Sequence, residues 1–442
     1  MYKSSLALAV ALGVIAQQAG AAGFIEDSKL SVSSRTMYFN DDNREGGADN
    51  RESGQGFKLD YISGFTEGTV GFGVDAQALW GIHLDGGKGH HPDSSTFFPS
   101  DSNGSAVGQW ARVGANAKAR FSKTEVHFGS ALAPNLPILV SNDGRLLPQT
   151  FEGGTIQSKE IDNLTINAGQ LTHAMGRASS NRTGLSVAGA SADSNKFRYG
   201  GLDYKLTPDL TLQYYYSNLE DFYKQHFLGA THVFKIADDQ SFKTDLRFFD
   251  SSSDGKNGHG GGYNFNNNGG YAKNSGKVDN KTWSAMFTYT LGGHALMLGR
   301  QQVGDDGGFV WLNQGSVVDG NGRNEGAGGS SFYLFTDSMI NQFARAGENT
   351  NFGQYSYDFA ALGVPGLKAS VAYLRGDDIR YKSGHGTYNE WERDARVDYT
   401  IQDGTLKGLG FSLRQGVYRG SAESSPDKDQ TRFIVNYTYA FM

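Results

Sequence analysis

The sequence predicts an all-β fold, a transmembrane antiparallel β-barrel of about sixteen to eighteen strands, with one loop folded into its lumen. Three observations carry this reading. Apolar and polar residues alternate with period two in segment after segment. Short turns alternate along the chain with long Gly/Asn/Asp-rich loops. The C-terminal segment closes on aromatics at every second position.

Composition agrees. The 442 residues include 61 Gly, 28 Phe and 22 Tyr against 8 Pro, the usage of a turn-rich β protein. No cysteine is present, which suits a chain crossing an oxidising periplasm. Formal net charge is −6 and argues against a nucleic-acid partner. Lys3, the apolar run Leu6 to Ile15 and Ala19-Gly20-Ala21-Ala22 form an export signal, expected over residues 1–22. The barrel is expected over 23–442 as a single domain. Past the signal, no apolar run reaches the ~18 residues of a membrane helix.

The strands follow in order. Leu30, Val32, Ser34, Thr36 and Tyr38 alternate with Lys29 to Met37, and Asp41 to Gly56 reads as a polar loop. Val70, Phe72, Val74, Ala76, Ala78 and Trp80 share a face, and 81–108 reads as a long loop. Ala111, Val113, Ala115, Ala117, Ala119 and Phe121 then stand opposite Arg112, Asn116, Lys118 and Arg120. An apolar face backed by cations suits a wall between lipid and lumen. Further alternation runs through 202–206, 210–216, 242–248, 283–291, 367–373 and 409–413, separated by turns such as Thr207-Pro208-Asp209 or by loops at 251–281, 304–329 and 376–390. Phe433, Val435, Tyr437, Tyr439 and Phe441 close the sheet.

One stretch breaks the pattern. Residues 130–155 hold Pro134, Pro137 and Pro148, which interior strands exclude, yet carry Leu132, Leu136, Ile138, Leu139, Val140, Leu146, Leu147 and Phe151. An apolar irregular segment between alternating strands is expected to fold into the lumen as a constriction, with Arg145 as its informative residue.

Function is read from charge sorted by parity. Arg35, Arg112, Lys118, Arg120, Arg414 and Arg432 all fall opposite the apolar face, as do the acids Asp60, Asp75, Glu392, Asp394 and Asp398. Cations in a low-dielectric wall attract anions. Catalytic motifs such as G-x-S-x-G, the Walker loop and H-E-x-x-H are absent, so no enzyme, cofactor or metal is expected. His90-His91 lacks spaced partners for a metal. A gated, energy-coupled transporter would need a plug before the first strand, and Leu30 already alternates.

Several segments resemble the outer-membrane porin D (OprD/Occ) family of pseudomonads. These are G-F-I-E-D-S-K-L at 23–30, E-S-G-Q-G-F at 52–57, S-G-F-T-E-G-T-V-G-F-G-V-D-A at 63–76, R-L-L-P-Q-T-F at 145–151, L-E-D-F-Y-K-Q at 219–225, G-A-G-G-S-S at 326–331 and A-L-G-V-P-G-L at 361–367. The resemblance implies an eighteen-stranded, substrate-specific diffusion channel in the bacterial outer membrane. It also implies an inward third loop and a basic ladder guiding a substrate carboxylate. Arg35, Arg120, Arg414 and Arg432 sit at matching positions, Tyr223 lies in the matching L-E-D-F-Y segment, and Ser412 stands where some relatives carry another Arg.

The expected pathway is therefore Arg35, Arg112, Lys118, Arg120, Arg145, Tyr223, Arg414 and Arg432. Arg145 and Arg120 are expected to meet the carboxylate, with Leu146, Leu147 and Phe151 against its apolar body. The expected solutes are small aromatic or aliphatic monocarboxylates. A channel for basic amino acids and small peptides is the alternative, and a barrel hydrolase a distant one. Partners are expected to be outer-membrane lipid and lipopolysaccharide, around a pore that works as a monomer, with an oligomer as the alternative.

Overall fold

The computed structural model describes residues 23–86, 89–92, 95–315, 329–421 and 425–441. The expected export segment and Met442 lie outside the described residues.

Eighteen strands form one antiparallel sheet. They are β1 Lys29–Asn43, β2 Asn50–Ile62, β3 Val70–Asp85, β4 Gln109–Phe121, β5 Thr124–Leu132 and β6 Thr150–Ser158. Next come β7 Leu164–Met175, β8 Phe197–Thr207, β9 Leu210–Leu219, β10 Tyr223–Ala237, β11 Gln240–Ser253 and β12 Asp279–Leu291. The last six are β13 His294–Val303, β14 Asn349–Asp358, β15 Leu367–Arg380, β16 Thr387–Thr400, β17 Gly410–Arg419 and β18 Lys428–Ala440. Each pairs with its neighbour in sequence, and β1 pairs with β18 from Ser31↔Ala440 to Asn43↔Lys428. The sheet is closed and keeps no edge.

The wall is apolar outside and polar inside. Along β4, Val113 is 77% exposed while Arg112 beside it is 9% exposed. Phe72, Phe128, Leu298 and Phe433 are likewise exposed on the outer face. In water that arrangement would be costly, and in lipid it is what a barrel wall requires. No described helix is long and apolar enough to cross a membrane; the closed sheet with its apolar outer face is the spanning element.

Eight short connections and the start of β1 share one end of the barrel; the loops 86–108, 133–149, 176–196, 254–278 and 304–348 share the other. Several strands run further than alternation indicates. β1 continues to Asn43, β3 to Asp85, and β15 and β16 meet across 381–386 rather than across 376–390. In these outer ends Gly, Asp and Asn interrupt the alternation, and the period-two signal fades there. The irregular stretch is shorter than 130–155, because its flanks Ser130–Leu132 and Thr150–Gly154 complete β5 and β6.

The loops fill half of the lumen. Ile138 and Leu139 from 133–149, Leu185 and Val187 from 176–196, Phe265 from 254–278, and Phe309, Val310, Leu312 and Phe332 from 304–348 bury together. They pack on the inward side chains Phe151, Leu171, Phe197, Tyr215, Tyr223, Phe227 and Phe249 of β6 to β11. A second cluster joins Leu146 and Leu147 to Met37, Phe39, Leu79, Trp110 and Ile434 of the wall and to Phe97 and Phe98 of loop 86–108. A passage remains beside β14 to β18.

Candidate functional site: the arginine-lined passage

An outer cavity of about 710 Å³ opens beside that wall. Six arginines line it: Arg145, Arg177, Arg345, Arg396, Arg414 and Arg432. Asp337 and Asp394 are the carboxylates that line it with them. Trp311, Phe332 and Phe335 of loop 304–348 add an aromatic side, with the Trp311 and Phe332 rings 4.7 Å apart. A second cavity of about 360 Å³, toward the short-turn end, is lined by Arg396, Asp398, Ser412, Arg414, Asn436 and Tyr437. Arg396 and Arg414 line both, so they mark where one chamber passes into the other.

Strand register builds this cluster. Arg396 is the cross-strand partner of Arg414, and Arg414 of Arg432. The next residue in the row is Phe39 on β1, opposite Arg432. Both Arg432 and Arg145 lie over the Phe39 ring, at 5.8 and 4.5 Å. The ring's negative face supports two cations brought close together.

The donors are not equally available. Arg432 gives Nε to Gln430 Oε1 at 2.7 Å and Nη2 to the Met339 carbonyl at 2.6 Å. Arg145 gives Nε to Thr96 Oγ1 at 3.1 Å and Nη1 to the Gly144 carbonyl at 3.0 Å. Arg177 holds Asn142 Oδ1 at 2.7 Å. Arg414 donates Nε to Ser412 Oγ at 3.0 Å, and its two terminal nitrogens have no protein partner among the described residues.

Burial, then the nearby Arg432 and Arg177, pushes the Arg145 guanidinium well below the usual arginine range. Burial alone brings Arg177 down to about 10. Arg177 therefore keeps its charge at neutral pH. Asp337 moves the other way, raised by burial against the opposing pull of Ser331, Phe332 N–H, Arg177 and Arg432.

The residues expected on the pathway separate into groups. Arg145, Arg414 and Arg432 line the outer cavity. Arg35 braces the loop tip, with Nη1 2.8 Å from Asp143 Oδ1 and Nη2 3.1 Å from Oδ2, and Nη1 2.6 Å from the Arg145 carbonyl. Arg112 does not line the passage. It donates to the carbonyls of Gly176, Ser179 and Pro148 and so ties two loops to β4. Lys118 is buried against Asp75 Oδ1 and the Ser63 carbonyl, both at 2.7 Å. Tyr223 is fully buried in the plugged half. Arg120 stacks on Phe65 of the turn 63–69, 4.3 Å away, while Arg145 makes its contacts toward the long-loop end. Arg120 and Arg145 are therefore not a pair. Leu146 and Leu147 are buried against the wall and Phe151, on β6, is buried under the loops, so none of the three faces a solute. Inward parity places a side chain inside the barrel, but half of the inside is protein.

Arg177, Arg345, Arg396 and Asp337 were not anticipated. Arg396 had a readable signal, since it shares parity with Asp394 and Asp398. The other three sit on irregular loops, where no period indicates direction. His91 is buried, Nδ1 2.9 Å from Glu52 Oε2 and Nε2 2.9 Å from Ser100 Oγ.

A closed barrel with an apolar outer face, narrowed inside by folded loops around a polar passage, defines an outer-membrane diffusion channel. The chain belongs to the outer membrane porin OprD family, which matches residues 22–441. It is 34% identical to Porin D of Pseudomonas aeruginosa, covering 99% of this chain and 96% of that protein. It is 30% identical to the porin-like protein GalP of Pseudomonas putida, covering 96% and 95%. Among solved structures it is similar to OccK8 (OprE) of Pseudomonas aeruginosa, with 46% identity, a TM-score of 0.84 and coverage of 95% and 100%. OpdK of the same organism, solved with vanillate, gives 33% identity, a TM-score of 0.81 and the same coverage. The protein is thus a substrate-specific porin of the bacterial outer membrane. The relatives are channels rather than enzymes.

Proposed function

We propose that this porin passes small monocarboxylates with an aromatic or aliphatic body. The observation that carries the reading is Arg414, which lines both chambers with its terminal nitrogens unpaired and has Arg396 and Arg432 in register on either side. A carboxylate entering the junction sheds part of its water, and a guanidinium offsets that loss with two parallel hydrogen bonds. Trp311, Phe332 and Phe335 offer an apolar side to the rest of the solute. OpdK, with its bound vanillate, is a relative seen with an aromatic carboxylate. Several arginines in sequence favour weak, shared binding, which flux requires. Each barrel holds its own passage, so a monomer suffices, and residues 1–22 serve as the removable export signal.

Asp337 and Asp394 in the same cavity favour a second reading, a basic amino acid whose cationic end meets these acids. Liposome uptake of labelled benzoate and labelled arginine, with native protein and Arg414→Ala, separates the two. The first reading expects benzoate to enter faster and to slow several-fold in the variant. Faster arginine uptake that ignores Arg414 would contradict it.

A further inference from the structure

The acids of β16 alternate as Glu390, Glu392 and Asp394, with Trp391 and Arg393 between them, so all three point inward. Free lumen carboxylates would attract cations. Here they are engaged with loop 304–348. Three successive backbone amides of that loop converge on two of them. Met339 N donates to Asp394 Oδ2 at 3.3 Å, Ile340 N to Glu392 Oε1 at 2.8 Å and Asn341 N to Glu392 Oε2 at 2.8 Å. Consecutive amides aimed one way form a concave anion site, and the wall supplies the anion. Glu392 is fully buried in this contact.

Neighbouring groups complete the attachment. Ser338 Oγ closes the turn on the Asn341 carbonyl at 2.6 Å. Asn341 Nδ2 also reaches Glu390, which takes Arg345 Nη1 at 2.8 Å and Tyr418 Oη at 2.6 Å. Arg432 holds the Met339 carbonyl from β18. Ile340 lies against Gly416 of β17, where an added Cβ would come within 2.9 Å of Ile340 Cδ1. Residues Ser338, Met339, Ile340 and Asn341 are themselves part of the cavity wall.

We propose that Glu392 and Asp394 are positioning residues that latch segment 338–341 to the barrel wall and thereby set the bore of the outer cavity. The inference does not depend on which solute is carried. Without the carboxylates, three aligned amides lose their acceptors in a water-accessible passage, and the segment leaves the wall. The covalent loop alone, 304–348, is long enough to permit this.

The test measures bore rather than charge. Single-channel recordings with uncharged polyethylene glycols of graded size report the largest polymer that enters, and removing two acids does not alter how a neutral polymer partitions. Glu392→Ala with Asp394→Ala should shift the exclusion limit and raise open-channel noise. Because the chain has no cysteine, Ile340→Cys with Gly416→Cys can be added to that variant as a disulfide latch at the observed contact. Oxidation should return the native exclusion limit, and reductant should abolish it again. If the double alanine variant fails to assemble, judged by heat-modifiable migration, Glu392→Met with Asp394→Leu keeps similar side-chain volumes, offers the amides no acceptor and should shift the limit. An unchanged limit in the assembled variant, or a shift that the oxidised disulfide leaves in place, overturns the proposal.

Discussion

Arg414 and Arg432 stand directly opposite each other on adjacent strands, two like charges where a sheet ordinarily places complementary ones. Like charges in such a pair are destabilising by roughly 0.2–1 kcal/mol, so the arrangement is kept at a cost. Replacing Arg414 by Gln should leave barrel stability unchanged or raise it by up to about 1 kcal/mol, while lowering anion preference. Urea unfolding in detergent and reversal potentials on one preparation test both halves. Loss of stability together with unchanged selectivity would make Arg414 a structural residue.

The tip of loop 133–149 is fastened by Asp143 to Arg35 and by Asn142 to Arg177. Deleting residues 137–145 should raise conductance and leave the sheet intact, because no barrel strand draws its ladder hydrogen bonds from them. Asp143→Asn alone should barely alter stability, since Asp143 is 54% exposed and such pairs contribute at most about 1 kcal/mol. Conductance histograms of both variants provide the check.

Leu146 is 1% exposed and anchors the same loop to β1 and β2. Gly56 makes room for it, since a Cβ there would lie 3.0 Å from the Leu146 carbonyl. Leu146→Ala should weaken docking by about 2–5 kcal/mol, the usual range for a buried leucine. Limited proteolysis should cut loop 133–149 sooner in the variant, with the barrel strands still protected.

Burial raises Asp337 above an ordinary aspartate, so acidification removes its charge sooner than that of a solvated aspartate. Losing a negative charge beside six arginines makes the passage more anion-selective. The anion-to-cation permeability ratio should therefore rise as pH falls below neutrality, and Asp337→Asn should start higher and respond less. A native ratio that falls with acidification would contradict this assignment.

Period-two alternation was sufficient for the wall. Ala111 to Phe121 and Phe433 to Phe441 show their outward faces directly in the sequence, because lipid admits few exceptions on that side. The interior was legible only as a direction. Arg112, Lys118 and Tyr223 point inward as parity requires, yet they meet loops 133–149, 176–196 and 304–348 or the turn at 63–69, whose packing no period encodes. Arg414 and Arg432 line the cavity that the loops leave open, Arg432 with its donors largely taken up by Gln430 and Met339. The prolines at 134, 137 and 148 marked one infolded loop. The larger one, 304–348, reads in the sequence only as a Gly/Asp/Asn loop over 304–329, whose composition hides the buried Phe309, Val310 and Leu312.

The central claim is that the arginines at the chamber junction govern what passes, in a chain whose net charge is negative. A reversal potential in a potassium chloride gradient across a planar bilayer tests it most directly. The account predicts a potential of the sign set by chloride, moving toward zero in Arg414→Ala. Strong potassium selectivity in the native channel would show that the lumen acids dominate, and would contradict it.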